Sequence, residues 1–175
     1  MNEGLQFLIS TLFSLFAMAL ILRVWMQAVQ ANYFSPVASA IRTVTDPVVL
    51  PVRKILPSIG RFDLAAIFLA LVFVWLRFFI TSTMNGMSIH WVPLLVFSVQ
   101  YLFLSVLRLL FWILIIRAIL SWFSQGQNPI EHVLYELTEP MLSPIRRLLP
   151  PMGGLDLSVL VLIILVQFLM IVFAV

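Results

Sequence analysis

Four arginines stand inside long apolar runs of this chain: Arg23, Arg77, Arg108 and Arg117. No carboxylate lies in those runs. Hydrocarbon solvates a guanidinium badly, so an arginine at depth marks either a functional site or an internal partner. The acids that could answer Arg23 and Arg117 are Asp46 and Glu139, each following a threonine in a proline-rich connection. Pairing Arg23 with Asp46 and Arg117 with Glu139 would hold each connection against its span and offset the desolvation of both charges. Cross-pairing between the two sets is the alternative. Counted at 1.5 Å per residue, Arg23 and Arg117 fall roughly 10 Å from one end of their helices, and Arg77 and Arg108 roughly twice as deep. The latter two are expected to snorkel to the opposite interface along their long stems.

Other chemistry is sparse. The chain has no cysteine, which removes thiolate metal sites, disulfides and a thiol nucleophile. Its two histidines, His90 and His132, fall in different connections that the topology below places on opposite sides of a membrane, so they cannot share a metal. No phosphate-binding glycine loop, zinc spacing or nucleophile elbow is present. No cofactor, metal or catalytic residue is therefore expected, nor contact with nucleic acid. Hydroxyls and amides that could line a transport path are few, Ser10, Thr11, Ser14, Gln100, Ser105, Ser121 and Gln167 being the main ones.

The elements that position these residues follow from solvent. Of 175 residues 63% are apolar and 10% charged, against about half and about a quarter in soluble domains. Hydrocarbon must surround most of the chain. Four runs approach or exceed the roughly 20 residues a spanning helix needs: Leu5–Gln30, Leu64–Ser82, Pro93–Phe123 and Leu155–Val175. The start, Met-Asn-Glu-Gly, lacks a basic leader and a cleavage site, so the first run reads as a retained helix. The first connection carries Arg42, Arg53, Lys54 and Arg61, the third Arg146 and Arg147, and the second none. By the excess of basic residues in cytoplasmic loops, both basic connections belong inside and both termini outside.

The connections also carry a duplication. Ser35–Leu64 and Asn128–Leu157 align at a constant offset of 93, matching four prolines, a threonine–acid pair, a basic doublet, a glycine and an Asp-Leu pair. Arg23 joins Arg117 if one residue is inserted. The expected fold is all-α: four transmembrane helices in two parallel repeats, each with a short amphipathic interfacial helix. Repeat one covers residues 1–82, an outer loop 83–92 and repeat two 93–175.

Each repeated residue has a local reading. Ser35 or Asn128 caps a helix whose first position is proline. Apolar stripes at Val37, Ala40, Ile41 and Val44, and at Ile130, Val133, Leu134 and Leu137, have helical spacing. This helix lies in the membrane interface or packs across the bundle's end. Pro47 and Pro140 disfavour helix in the acid before them, and a proline-spaced extended stretch is expected to follow. It carries the doublets Arg53-Lys54 and Arg146-Arg147, suited to anionic lipid headgroups or serving only as topology anchors. Gly60 and Gly153 permit a turn, after which Asp63 and Asp156 cap the next span.

The segments R-A-I-L-S-W-F (Arg117–Phe123), N-P-I (Asn128–Ile130), T-E-P-M-L-S-P-I-R-R-L-L-P (Thr138–Pro150) and G-G-L-D-L-S (Gly153–Ser158) resemble the YggT family, also called YlmG. The two-unit length is similar to its proteobacterial members. The first unit departs from the pattern, with Gln27-Ala28 for Ser121-Trp122 and Arg61-Phe62 for Gly154-Leu155. The resemblance implies a bacterial inner-membrane protein. Relatives are linked to cell division and membrane organisation, in plastids to nucleoid distribution and cytochrome b6 maturation, and in bacteria to osmotic tolerance and cation uptake. Two functions are expected from this: a non-catalytic organising or assembly factor that binds anionic lipid and a membrane-protein partner or second copy, or a component of ion or osmolyte movement.

Overall fold

The computed structural model describes residues 2–32, 34–123, 128–148 and 156–173, and nearly all of these are helical. Six helices follow in order: α1 (Asn2–Ala28), α2 (Pro36–Arg53), α3 (Leu64–Met84), α4 (Trp91–Phe123), α5 (Pro129–Leu148) and α6 (Leu157–Phe173). Helices α1, α3 and α4 are long and apolar enough to cross a membrane. Helix α6 is equally apolar in character but spans 17 described residues. The expected fourth span, Leu155–Val175, runs at both ends into residues outside the described set.

Helix α1 lies along α3, α2 packs on both, and α4 contacts α5, α6 and α3. One core gathers Leu20, Ile21, Val49, Ala65, Ala66 and Leu69. The other gathers Leu110, Leu114, Leu137, Leu142, Leu162 and Val166, together with Trp25 and Met26 of α1. Trp25 Nε1 donates to the Leu137 carbonyl at 3.2 Å and the Asn32 backbone N–H donates to Glu136 Oε2 at 2.8 Å, so α1 and its exit are tied to α5. Large apolar side chains cover the outside: Leu8, Leu12, Leu15, Phe97, Ile164 and Phe168 are all exposed. Apolar side chains inside and out are what a hydrocarbon solvent permits. At the α3–α4 end Trp75, Phe79 and Trp91 stack with centroids 5.3–6.0 Å apart, amphipathic rings of the kind that favour a membrane boundary.

The structure corrects two expectations about the connections. Helices α2 and α5 continue through Pro47 and Pro51, and through Pro140 and Pro144, where an extended stretch was expected. Each proline deletes one intrahelical hydrogen bond, and spacing by four stacks both deletions on one helix face. All four prolines are exposed, so the freed carbonyls can find water. Asp46 and Glu139 are consequently helical, and both basic doublets begin in a final helical turn. The buried stripe of α2 is also rotated: Ala38, Thr45 and Val49 are inside, while Ala40 and Val44 are exposed. In α5 Val133, Leu134 and Leu137 are buried, but Ile130 is exposed. The stripe turns to present Thr45 and Thr138 to the arginines behind them, a polar requirement that apolar counting ignores.

Because Pro47 occupies an exposed helical site, Pro47→Ala should raise the thermal unfolding midpoint in detergent, by up to ~3 kcal/mol equivalent if the full helix-interior penalty is recovered. An extended backbone at that position would give the opposite sign, since alanine then only enlarges unfolded-state freedom.

Candidate functional site

Polar side chains converge where α1 meets α2 and α3, and again where α4 meets α5 and α6. In the first cluster Arg23 is buried and donates through Nη1 to Thr45 Oγ1 and to Asp46 Oδ1, both at 2.6 Å. Its Nε lies 3.4 Å from Asp63 Oδ2. Asp63 is fully buried, receives a hydrogen bond from Arg53 Nη2, and caps α3 by accepting from the Ala66 N–H at 3.3 Å. Thr45 passes its own hydroxyl proton to the Ile41 carbonyl at 2.7 Å, leaving its lone pairs for the guanidinium. Two arginines and two carboxylates thus hold α1, α2 and the start of α3 together.

The second cluster uses the corresponding residues differently. Arg117 Nη1 donates to Thr138, whose hydroxyl donates to the Leu134 carbonyl at 2.7 Å. Arg117 Nη2 stands 3.5 Å from Glu139 Oε2, near enough for Coulomb attraction but without a hydrogen bond. The Arg117 guanidinium lies over the Tyr135 ring, 4.8 Å from its centroid. Here Arg146 is the bridge, donating to Glu139 Oε1 and to Asp156 Oδ2, each at 2.8 Å. Asp156 also accepts from the Ser158 N–H at 3.1 Å and from the Ser158 hydroxyl. Partial burial pushes the Asp156 carboxyl up, yet the Ser158 and Arg146 hydrogen bonds outweigh it and hold the group below its ordinary range. Burial likewise works against the Arg146 charge, but Asp156 and Glu139 raise its pKa above the ordinary value.

Each arginine therefore meets the acid within its own half of the chain. Sequence reasoning missed the second role of Asp63 and Asp156, which cap helices and also bind Arg53 and Arg146. It also missed Thr45 and Thr138, both fully buried; their coincidence in the repeated threonine–acid pair was the available signal. The doublets split: Arg53 and Arg146 turn to carboxylates, while Lys54 and Arg147 are exposed. Gly60, at φ +59°, makes the turn that closes Ile59 on Phe62 (N–O 3.0 and 3.1 Å) and delivers Asp63 to the cluster. Gly153 lies outside the described residues. The Arg77 guanidinium sits 4.5 Å from the Tyr101 ring centroid, where a ring face offsets part of the desolvation. Arg108 is exposed. Among the described residues no group of three or more histidines, cysteines or acids could hold a metal.

Charge is divided unequally between the clusters. From Ser35 to Leu64 four basic residues (Arg42, Arg53, Lys54, Arg61) face two acids, whereas from Asn128 to Leu157 two basic residues (Arg146, Arg147) face four acids (Glu131, Glu136, Glu139, Asp156). Beside Arg23, a cleft of about 410 Å³ is lined by Gln27, Gln30, Arg42 and Arg53.

Arg23→Ala would leave Asp63 buried with Arg53 alone, and breaking a buried pair costs about 3–5 kcal/mol. Arg117→Ala should cost less, since Glu139 keeps Arg146 and is a quarter exposed. Thermal unfolding in detergent should rank the two variants in that order. Acid should weaken the second cluster. Folding lowers the Asp156 pKa, so its contribution is complete above the unfolded carboxylate value of about 4 and is lost as pH falls through the folded value. Asp156→Asn should flatten that acid limb in a pH series of melting curves.

The CCB3/YggT family model matches residues 2–84 and again 95–175. A Vibrio alginolyticus protein from the proC 3′ region is 49% identical, covering 95% of this chain and 91% of its own length. The YggT protein of Escherichia coli K12 is 38% identical, over 92% of this chain and 84% of its own. The chloroplastic YlmG homolog protein 2 of Arabidopsis thaliana is 44% identical over 46 residues, 26% of this chain and 18% of that protein. No solved structure matches. Two matches to one family model, each across a half that carries its own arginine–carboxylate cluster, and the extent of these relatives make the chain a member of the CCB3/YggT family.

Proposed function

We propose that this protein is a non-catalytic organising or assembly factor of the bacterial inner membrane, with four spans in two parallel repeats and both termini on the periplasmic side. Helices α2 and α5 form the cytoplasmic platform, gripping anionic lipid at its edge and docking a membrane-protein partner or second copy. The observation that carries this reading is the use of Arg23, which is buried, and Arg117, which is partly buried. Arg23 and Arg117 are engaged by threonine and carboxylate partners that fasten α2 and α5 to the spans, which suits a rigid platform better than a moving charge. A collar supports the lipid contact: Lys54 and Arg61 are exposed beside exposed Ile55, Ile59 and Phe62. Basic and large apolar residues together favour the headgroup boundary.

Replacing Lys54, Arg61 and Arg147 by glutamine should weaken retention of phosphatidylglycerol on the purified protein by about 1 kcal/mol per charge, read by native mass spectrometry. Unchanged retention would reject lipid gripping. Proteoliposomes should pass neither ions nor osmolytes; a flux that Arg23→Ala or Arg117→Ala abolishes would favour the transport reading instead. Labelling of single cysteines at Lys54 and Arg147 should reach both from the cytoplasmic side only.

A further inference from the structure

The cleft between the end of α1 and α2 has the chemistry of an anion site. Arg23 and Gln27 share one face of α1 by their spacing, Gln30 follows in the turn after the helix, and Arg42 and Arg53 line the cleft from α2. Arg23 is more than nine-tenths buried. Arg53 lines the cleft, and its Nε is buried without a hydrogen-bond partner. Buried donors without acceptors are rare and costly. The space, about 410 Å³, is several times the size of a phosphate group. Arg23 lies five residues before the end of α1, roughly 8 Å by helical rise.

A comparison within the chain sharpens this. At the offset of 93, Arg42 corresponds to Tyr135, Ala38 to Glu131 and Thr43 to Glu136. Where the second half sets a tyrosine face against Arg117 and adds acids, the first half sets a third guanidinium beside Arg23 and Arg53. The carboxylates at the first cluster, Asp46 and Asp63, are already bound to Arg23 and Arg53. The first half carries Arg42, Gln27 and Gln30 at positions where the second half carries Tyr135, Ser121 and Ser124.

We propose that this cleft binds a phosphate-bearing anion, the headgroup phosphate of an anionic lipid or free inorganic phosphate. The inference rests on the lipid-contact reading and extends it from the exposed collar to the cleft beside Arg23, and the variants below separate the two. Full-length protein would be placed in nanodiscs of phosphatidylcholine alone and titrated with inorganic phosphate, and in parallel in nanodiscs containing phosphatidic acid or phosphatidylglycerol, with bound lipid counted by native mass spectrometry. Arg42→Tyr and Ala38→Glu install the residues that the second half carries at the corresponding positions. Either should lower affinity about tenfold, the loss expected for one charged hydrogen bond. Lys54→Gln with Arg147→Gln, which removes collar charges, should lower lipid retention by its own amount and leave both inorganic-phosphate binding and the further loss of about tenfold on adding Arg42→Tyr unchanged. Binding of inorganic phosphate in phosphatidylcholine discs identifies the free ion, and binding only with anionic lipid identifies the headgroup. The proposal is overturned if neither ligand binds, or if Arg42→Tyr, shown folded by its melting curve, leaves binding intact. Should Arg42→Tyr fold poorly, Gln27→Leu, which removes a lining amide without touching an ion pair, decides by the same criterion.

Discussion

A guanidinium held away from water needs charge and hydrogen-bond acceptors around it, and most of this architecture follows from that need at Arg23 and Arg117. An isolated ion in hydrocarbon costs many kcal/mol, yet neither spanning helix offers an acid nearby. The acceptors come from α2 and α5, each contributing a buried threonine and an adjacent carboxylate. This fixes which face of each amphipathic helix turns inward. It also brings the caps of α3 and α6 into the same networks through Arg53 and Arg146. In each half one set of charges fastens a long apolar helix, the amphipathic helix after it and the start of the next apolar helix.

The two halves solve the same problem with different margins. In the first, Arg23 itself reaches toward both Asp46 and Asp63, and Asp63 is completely buried. In the second, Arg117 leans on a tyrosine ring and Arg146 spans the two acids from a more exposed position. A buried network tolerates the loss of a partner poorly, while a partly hydrated one is screened by solvent. The first half holds one tight cluster and the second a looser cluster richer in acid. Glu136 of the acidic half accepts from the backbone of the α1 exit, and Trp25 of α1 donates to α5, so the halves meet where their charges differ.

Proline placement shows how a local rule yields to context. Proline in a helix removes a hydrogen bond and crowds the preceding turn, which argues for a break after Asp46 and Glu139. Four-residue spacing instead keeps every loss on the exposed face, and the inward face packs without interruption from Ala38 to Val49 and from Val133 to Leu142. Burial of that face, joined to the ion pairs, outweighs a few missing bonds. The last helical turn then aims Arg53 and Arg146 at the caps, which an extended strand would not do.

The sequence by itself determined the apolar character of the long helices, the all-helical class, the approximate limits of α1 and α3, and the family. Each of these is written in local composition or in exact residue matches. It also marked Arg23, Asp46, Arg117 and Glu139, because a charge in an apolar run has few ways to be satisfied. Tertiary structure alone decided the continuation of α2 and α5 through their prolines, the rotation of the α2 stripe, the turning of Arg77 onto Tyr101 and the splitting of each basic doublet. Those outcomes depend on which donor and acceptor become neighbours after helices pack. Chain spacing does not carry that information, because the deciding energy is that of desolvated groups finding partners from other elements.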